Sequence, residues 1–231
     1  MLDLLRARLR QKTTPAPVRE SAAAFPERFR GRLVPAAEAT DAGRRLPVID
    51  LGAIVFAPEE AVDGTEFTTD HRMATRSREA LVSGDGELEL ARALDAKMRS
   101  LLGRSLRLRS VAAGSCGGCE AELTALGNVV FDMGRFGVQF VASPRHADGI
   151  VITGVVNANM RDALERVYEA TPDPKIVIAV GACAISGGVF RDSDQVTGIP
   201  ASIPVDLWIP GCPPHPLTIL DGLLRVLGRL E

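Results

Sequence analysis

Four cysteines carry the chemistry this sequence could do. Cys116 and Cys119 form a Cys-x-x-Cys pair within Gly114-Ser115-Cys116-Gly117-Gly118-Cys119. Cys183 stands in Gly181-Ala182-Cys183, and Cys212 in Gly211-Cys212-Pro213-Pro214. Four thiolates are the common ligand set of an iron–sulfur cluster. A Cys-x-x-Cys turn can hold two corners, and the flanking glycines let backbone approach closely and offer N–H groups to sulfides. Pro213-Pro214 stiffens the last loop. Zinc accepts the same four ligands, and lone cysteines are often small core residues. Structural zinc sites usually draw on two close pairs, whereas Cys183 and Cys212 stand singly. The spacing therefore favours iron–sulfur and leaves zinc, or redox and structural thiols, open.

The elements that must position these thiols follow from hydrophobic periodicity. Strands are expected over 107–113, 138–142, 149–153, 175–180 and 205–209, and helices over 120–133, 159–169 and 216–230. Strands alternating with helices imply βαβ units, hence an α/β fold with a mostly parallel sheet and helices on both faces. Cys116 and Cys119 follow the first of these strands, Cys183 follows 175–180, and Cys212 follows 205–209. In an open α/β sheet, ligands bind in the crevice at the carboxyl ends of the strands. Three loops are thus expected to bring all four thiols to one edge of one sheet.

The bulk properties exclude several other classes. The chain has 231 residues, 46% of them hydrophobic, and a formal net charge of −2. That supports a buried core and gives no electrostatic case for a nucleic-acid partner. No run of 18 apolar residues occurs, so no transmembrane segment of its own is expected. The basic N-terminus lacks the apolar region and cleavage site of a signal peptide. Cysteines in such a chain read as metal or redox residues rather than disulfides. Residues 1–28 read as an N-terminal arm broken at Thr14-Pro15-Ala16-Pro17, 83–104 as a linking segment with an amphipathic helix over 87–102, and 105–231 as the thiol-bearing domain.

The second half resembles a known family. The motifs are Gly114 to Glu120, Arg135-Phe136-Gly137, Ser143-Pro144-Arg145-His146-Ala147-Asp148, Asp173-Pro174-Lys175, Gly181-Ala182-Cys183 with Gly187-Gly188, Ile203-Pro204-Val205-Asp206, and Ile209-Pro210-Gly211-Cys212-Pro213-Pro214. Together they resemble the small-subunit family shared by NiFe hydrogenases and the 20 kDa subunit of respiratory complex I. The resemblance implies a flavodoxin-like fold and one 4Fe–4S cluster on Cys116, Cys119, Cys183 and Cys212. It also implies a tightly bound large subunit, either hydrogenase-like or similar to the complex I 49 kDa subunit, with membrane-arm and other iron–sulfur subunits. The complex would lie on the cytoplasmic side of the inner membrane, this chain being peripheral. Complex I members carry adjacent cysteines at the first site. The Cys116-Gly117-Gly118-Cys119 spacing instead resembles energy-converting hydrogenases of the formate hydrogenlyase kind. In that family the NiFe centre belongs to the large subunit, so this chain holds no complete active site.

The resemblance gives Glu120 a possible role in proton transfer, with Glu122 a weaker candidate. First-turn acids that complement a helix dipole explain both equally simply. Arg145 and His146 lie in a shared motif and are expected either to face the large subunit, to tune the cluster, or to serve packing. His215 is expected at the surface. Residues 29–82 resemble a ferredoxin-like module that has lost its cysteines, with an unrelated loop-rich extension as the alternative. The register set by Gly52-Ala53-Ile54 puts Ala39, Ala42, Arg45 and Ile49 at the four ligand positions and Asp50 at the proline that usually follows.

Overall fold

Residues 149–153 and 176–180 are buried at every position, as continuous apolar runs must be when helices cover both faces of a parallel sheet. The computed structural model describes residues 25, 29, 31–35, 65–81, 89–102 and 105–230. The expected ferredoxin-like positions 39, 42, 45, 49 and 50, most of the arm over 1–28 and the loop at 83–86 lie outside the described residues.

In chain order the strands are β1 (Leu33–Pro35), β2 (Thr65–Phe67), β3 (Leu106–Ala112), β4 (Val138–Phe140), β5 (Gly149–Thr153), β6 (Ile176–Val180) and β7 (Leu207–Ile209). The helices are α1 (Ala96–Leu102), α2 (Gly118–Ala125), α3 (Ala158–Ala170), α4 (Ala182–Ser186) and α5 (Pro216–Val226). β1 and β2 pair antiparallel, with Leu33 opposite Phe67. The other five strands form one parallel sheet in the order β4-β3-β5-β6-β7. Within that sheet the first strand of the chain lies between the second and the third, which is the flavodoxin-like arrangement.

Alternate residues of each strand point to opposite faces. On one face Val151, Ile176, Ile178, Leu207 and Ile209 pack with Leu123 of α2 and with Leu220, Leu223 and Leu224 of α5. On the other, Ile150, Ile152 and Val177 pack with Leu164 of α3. α3 begins at Asn157, whose side chain accepts the Met160 N–H at 3.0 Å, a standard N-cap. Its end is held by Lys175, whose Nζ donates to the carbonyls of Tyr168 and Thr171, each at 2.9 Å.

Two helices are shorter than their periodicity predicts. The pattern over 120–133 realises a helix only to Ala125. There Asn128 takes the Val130 and Phe131 N–H groups on its side-chain oxygen at 2.8 and 3.1 Å, so a turn competes with the next helical turn. In the stretch 87–102, the described residues before Ala96 are not helical. Their N–H groups go elsewhere: Ala91 donates to the Ala74 carbonyl at 2.7 Å and Leu94 to Val226 at 2.9 Å. Tertiary partners override a local amphipathic pattern.

The segment 71–75 completes the sheet. Thr75 and Trp208 exchange backbone hydrogen bonds at 3.0 and 2.9 Å, an isolated antiparallel bridge on the outer side of β7. It covers an edge that would otherwise invite pairing.

Candidate functional site

The three expected loops meet at the carboxyl ends of β3, β6 and β7. α2 starts at Gly118, after Gly117 in the left-handed region (φ 88°), so Cys116 and Cys119 straddle a helix start. Cys183 is the second residue of α4, and Cys212 precedes α5 by one short turn. The loops interlock through backbone. Gly181 donates to the Ile209 carbonyl and Ala182 to the Gly211 carbonyl, both at 2.8 Å. A Cβ placed on Gly181 would lie 2.5 Å from Cys119 Sγ, and one on Gly118 would lie 3.6 Å from Cys116 Sγ and 3.7 Å from Pro213.

β3 and β5 are neighbours whose chains then depart to opposite faces, the switch point of such a sheet. There two backbone segments pass close to one another. A Cβ on Gly154 would come within 2.7 Å of Gly114 and Ser115 backbone. Two residues on, Val156 holds φ 50°, a costly conformation for a β-branched residue. Its carbonyl is fixed by the Thr197 N–H at 3.0 Å and hydroxyl at 2.6 Å.

The electrostatics of the thiols define what they can hold. Cys116 is exposed and the other three are half-buried. Burial, and then the negative charges of Glu120, Cys183, Cys212 and Cys116, push the Cys119 thiol up to about 12. Burial, Cys212, Cys116 and Glu120 push Cys183 up to about 11. Burial and Cys116 also raise Cys212. The four thiols thus lie within one another's electrostatic reach. Four thiolates so placed need positive charge between them, and metal binding to such a site releases protons. Among the described residues, no three His, Cys, Asp or Glu side chains converge closely enough to hold a single metal ion. Four cysteine thiolates are by their chemistry the common donor set of an iron–sulfur cluster.

Glu120 follows Cys119 and is oriented by two hydroxyls the sequence did not flag. Ser115 donates to its Oε1 at 2.7 Å, and Thr153 donates to the same oxygen. Burial pulls its pKa upward, but these bonds outweigh burial and hold it below the usual glutamate value. Its Oε2 is buried without a partner. Glu122 is half-buried, and burial raises its pKa. Arg145 and His146 are exposed on the turn that enters β5 at its amino end. The structure therefore does not bring them to the thiols.

His215 is not at the surface as expected. It caps α5, its Nδ1 accepting the Leu217 N–H at 3.1 Å. Its ring stands edge-on to Phe25, Phe29 and Phe131, with centroids 5.2, 5.6 and 5.8 Å away. Burial, and then His71, lower its pKa, and burial is also the leading cause that lowers His71. Both folded values lie below the unfolded value of 6.5, so the unfolded chain binds more protons in that range. Stability is expected to be full above pH 6.5 and to fall as pH drops below it, by at most about 1.4 kcal/mol per unit per histidine. Urea unfolding at a series of pH values checks this, and a midpoint unchanged between neutrality and mild acid would contradict it.

Gly181 gives a second expectation. Its φ of 88° and ψ of 157° lie in a region open essentially only to glycine. Gly181→Ala would also drive a methyl into Cys119 Sγ. The variant should lose about 1–3 kcal/mol of stability together with much of its bound iron, both measurable on one preparation.

Comparisons with known proteins identify the family of this fold. The family described as NADH ubiquinone oxidoreductase, 20 Kd subunit, matches residues 116–226, a span that includes all four cysteines. A Pyrococcus furiosus protein named "Probable membrane-bound hydrogenase subunit mbhJ" is 46% identical over 137 residues, 58% of this chain and 81% of that one. An NADH-quinone oxidoreductase subunit of Citrifermentans bemidjiense is 48% identical over 112 residues, 48% of this chain and 66% of that one. A chain of the archaeal membrane-bound sulfane sulfur reductase superposes with a TM-score of 0.51 at 32% identity, covering 58% of this chain and 75% of that chain. Identity, coverage and fold place the chain in one family: it belongs to the small subunits shared by NiFe hydrogenases and complex I, whose members are subunits of oxidoreductases.

Proposed function

We propose that this chain is an electron-transfer subunit that holds one 4Fe–4S cluster on Cys116, Cys119, Cys183 and Cys212. It would relay electrons to or from the large subunit of a membrane-associated, NiFe hydrogenase-like oxidoreductase. The observation that carries the reading is the convergence of four mutually interacting thiols from three loops at one sheet edge. A 4Fe–4S cluster supplies one-electron redox chemistry when bound. The chain's own residues do the rest. Gly181 keeps a side chain off Cys119 Sγ, Gly211 lets its loop pass close to Pro214, and Pro213 and Pro214 stiffen one wall. Glu120, whose Oε1 accepts from Ser115 and Thr153, stands beside the thiols as the proton-transfer candidate, with its partnerless Oε2 the atom that would take the proton. Val129, Val130, Val189 and Phe190 are exposed on the segments that follow α2 and α4, and they offer apolar surface near the thiols for a large partner.

A complex I-like role, with electrons passing to quinone, is favoured by the 48% identity to the Citrifermentans NADH-quinone oxidoreductase chain. The Cys-x-x-Cys spacing favours the hydrogenase-like reading. Nickel content of the complex purified with its large partner separates the two. Nickel near one per complex, with hydrogen-dependent dye reduction, supports the first. Its absence, with quinone reduction, supports the second.

Residues 29–82 form a clusterless, ferredoxin-like docking region in this reading. Of this region, the described strands β1 and β2 pair antiparallel. No described helix is long and apolar enough to cross a membrane. Attachment at the cytoplasmic side of the inner membrane would come through partner subunits.

A further inference from the structure

Among the described residues, two that are not glycine hold a positive φ, Asp132 and Val156. A short polar side chain such as that of Asp132 tolerates this region. Val156 is β-branched and fully buried. Strain of this kind persists only where the surroundings impose it, and it gathers at functional sites.

The chain on either side of Val156 shows what the strain achieves. The Val155 and Asn157 N–H groups donate to two successive carbonyls, those of Gly114 and Ala113, each at 3.3 Å. The φ of Val156 sets the angle at which the Asn157 peptide meets the chain before it. The Asn157 side chain closes over Gly114, where a Cβ would lie 2.6 Å from Nδ2. Ala113 in turn donates to the Thr153 carbonyl at 2.8 Å. Residues 153–157 thus grip the backbone of Ala113 and Gly114, which leads directly into the turn of Cys116. Cys116 is the exposed thiol of the four, so its own side chain has the least packing to hold it.

Thr197 is what holds Val156. It lies between α4, which carries Cys183, and β7, which leads to Cys212. Asn157 and Val196 form an antiparallel bridge. Beside it, Ala158 donates to the Gln195 carbonyl and Thr197 to the Val156 carbonyl, both at 3.0 Å. The Thr197 hydroxyl adds a second bond to the Val156 carbonyl at 2.6 Å. A hydroxyl has one proton to give, and Val156 takes it over the Gly198 carbonyl at 3.4 Å. Thr197 is itself exposed, so burial of its own side chain does not explain this contact.

We propose that Thr197 is a positioning residue for the Cys116 corner of the thiol site. Its two bonds keep Val156 in the left-handed conformation, and Val156 keeps the Ala113–Gly114 backbone and the Cys116 turn in place. The inference rests on the electron-transfer reading above for the cluster that this corner would hold. Without the hydroxyl, Val156 is drawn toward the extended region that a β-branched residue prefers. The Asn157 N–H then turns away from Ala113, and the exposed thiol loses its fixed approach.

The test uses the full chain purified with its large partner, with iron and sulfide measured first. Their absence would overturn the electron-transfer reading, and amide hydrogen exchange, which needs no cluster, would still judge the latch. Read by mass spectrometry over residues 113–118, exchange should quicken about two- to tenfold in Thr197→Val, the worth of one hydrogen bond. Thr197→Ser keeps the hydroxyl and should match the wild type. Iron loss to a chelator should quicken by a similar factor in Thr197→Val and not in Thr197→Ser. Val156→Gly supplies the control, because glycine takes a positive φ at no steric cost. On that background, Thr197→Val should leave exchange over 113–118 nearly unchanged. Unchanged exchange in Thr197→Val, failure of serine to restore it, or an equal effect on the Val156→Gly background overturns the proposal. Faster exchange with unchanged iron loss overturns the link to the thiol site. Where the buried Val156→Gly does not fold, the comparison of Thr197→Val with Thr197→Ser decides alone.

Discussion

Cys119→Ala should empty the site, taking iron from about four per chain to near zero while the α/β domain stays folded. Cys119 is the corner held most firmly by protein. Its Sγ lies against Gly181 on the next loop, and burial is the largest contribution to its raised pKa. An alanine there leaves a corner less open than that of Cys116 to a water stepping in as a substitute ligand. Cys116 is the opposite case, an exposed thiol at the same turn. Cys116→Ala leaves its corner open to solvent, so it should retain more iron than Cys119→Ala. The ordering is the discriminating part. Iron and sulfide assays on both variants, with circular dichroism to confirm folding, measure it. Equal iron in Cys119→Ala and wild type would contradict the ligand assignment, and more iron in Cys119→Ala than in Cys116→Ala would contradict the burial argument.

Asp221→Ala should be the most destabilising single change outside the thiol loops, by about 3–5 kcal/mol. Asp221 and Arg225 form an ion pair at 2.8 Å on α5, with side-chain exposures of 1% and 8%. α5 packs on β7 and also on the added segment 71–75, where a Cβ on Gly222 would already meet Ala74 at 2.7 Å. Removing the carboxylate breaks a buried, hydrogen-bonded ion pair in a place the chain cannot open without losing that packing. Replacing both members with leucine should cost far less, because two desolvated charges leave together. Urea unfolding of the two variants compares these outcomes. A loss below about 1 kcal/mol for Asp221→Ala would mean the pair is solvated in solution.

The same contrast between local and distant determinants explains what the sequence revealed. The sheet was legible because 149–153 and 176–180 are unbroken apolar runs, and a run buried on both faces can hardly be anything else in an α/β chain. The convergence of the thiol-bearing loops was legible because each cysteine sits among glycines at a strand end, where topology directs ligands. The helix over 120–133 was overextended because Leu123, Leu126 and Val130 keep helical spacing through a turn that Asn128 makes with its own side chain. His215 was read as exposed because its cover comes from Phe25, Phe29 and Phe131, none of them near it in sequence. Ser115 is five residues from Glu120 and Thr153 is 33 away. A serine in a Gly-Ser-Cys turn beside an acid was the one local signal that could have suggested the first of these partners. The burial of His71 depends on α5, about 150 residues later in the chain, so no local pattern could mark it.

The account stands most directly on metal identity. Iron, acid-labile sulfide and zinc should be measured on the chain purified anaerobically with its large partner, followed by EPR after dithionite reduction. The account predicts about four iron and four sulfide per chain and a spin-half signal on reduction. About one zinc per chain with no sulfide would contradict it and leave a structural subunit on a redox-enzyme fold.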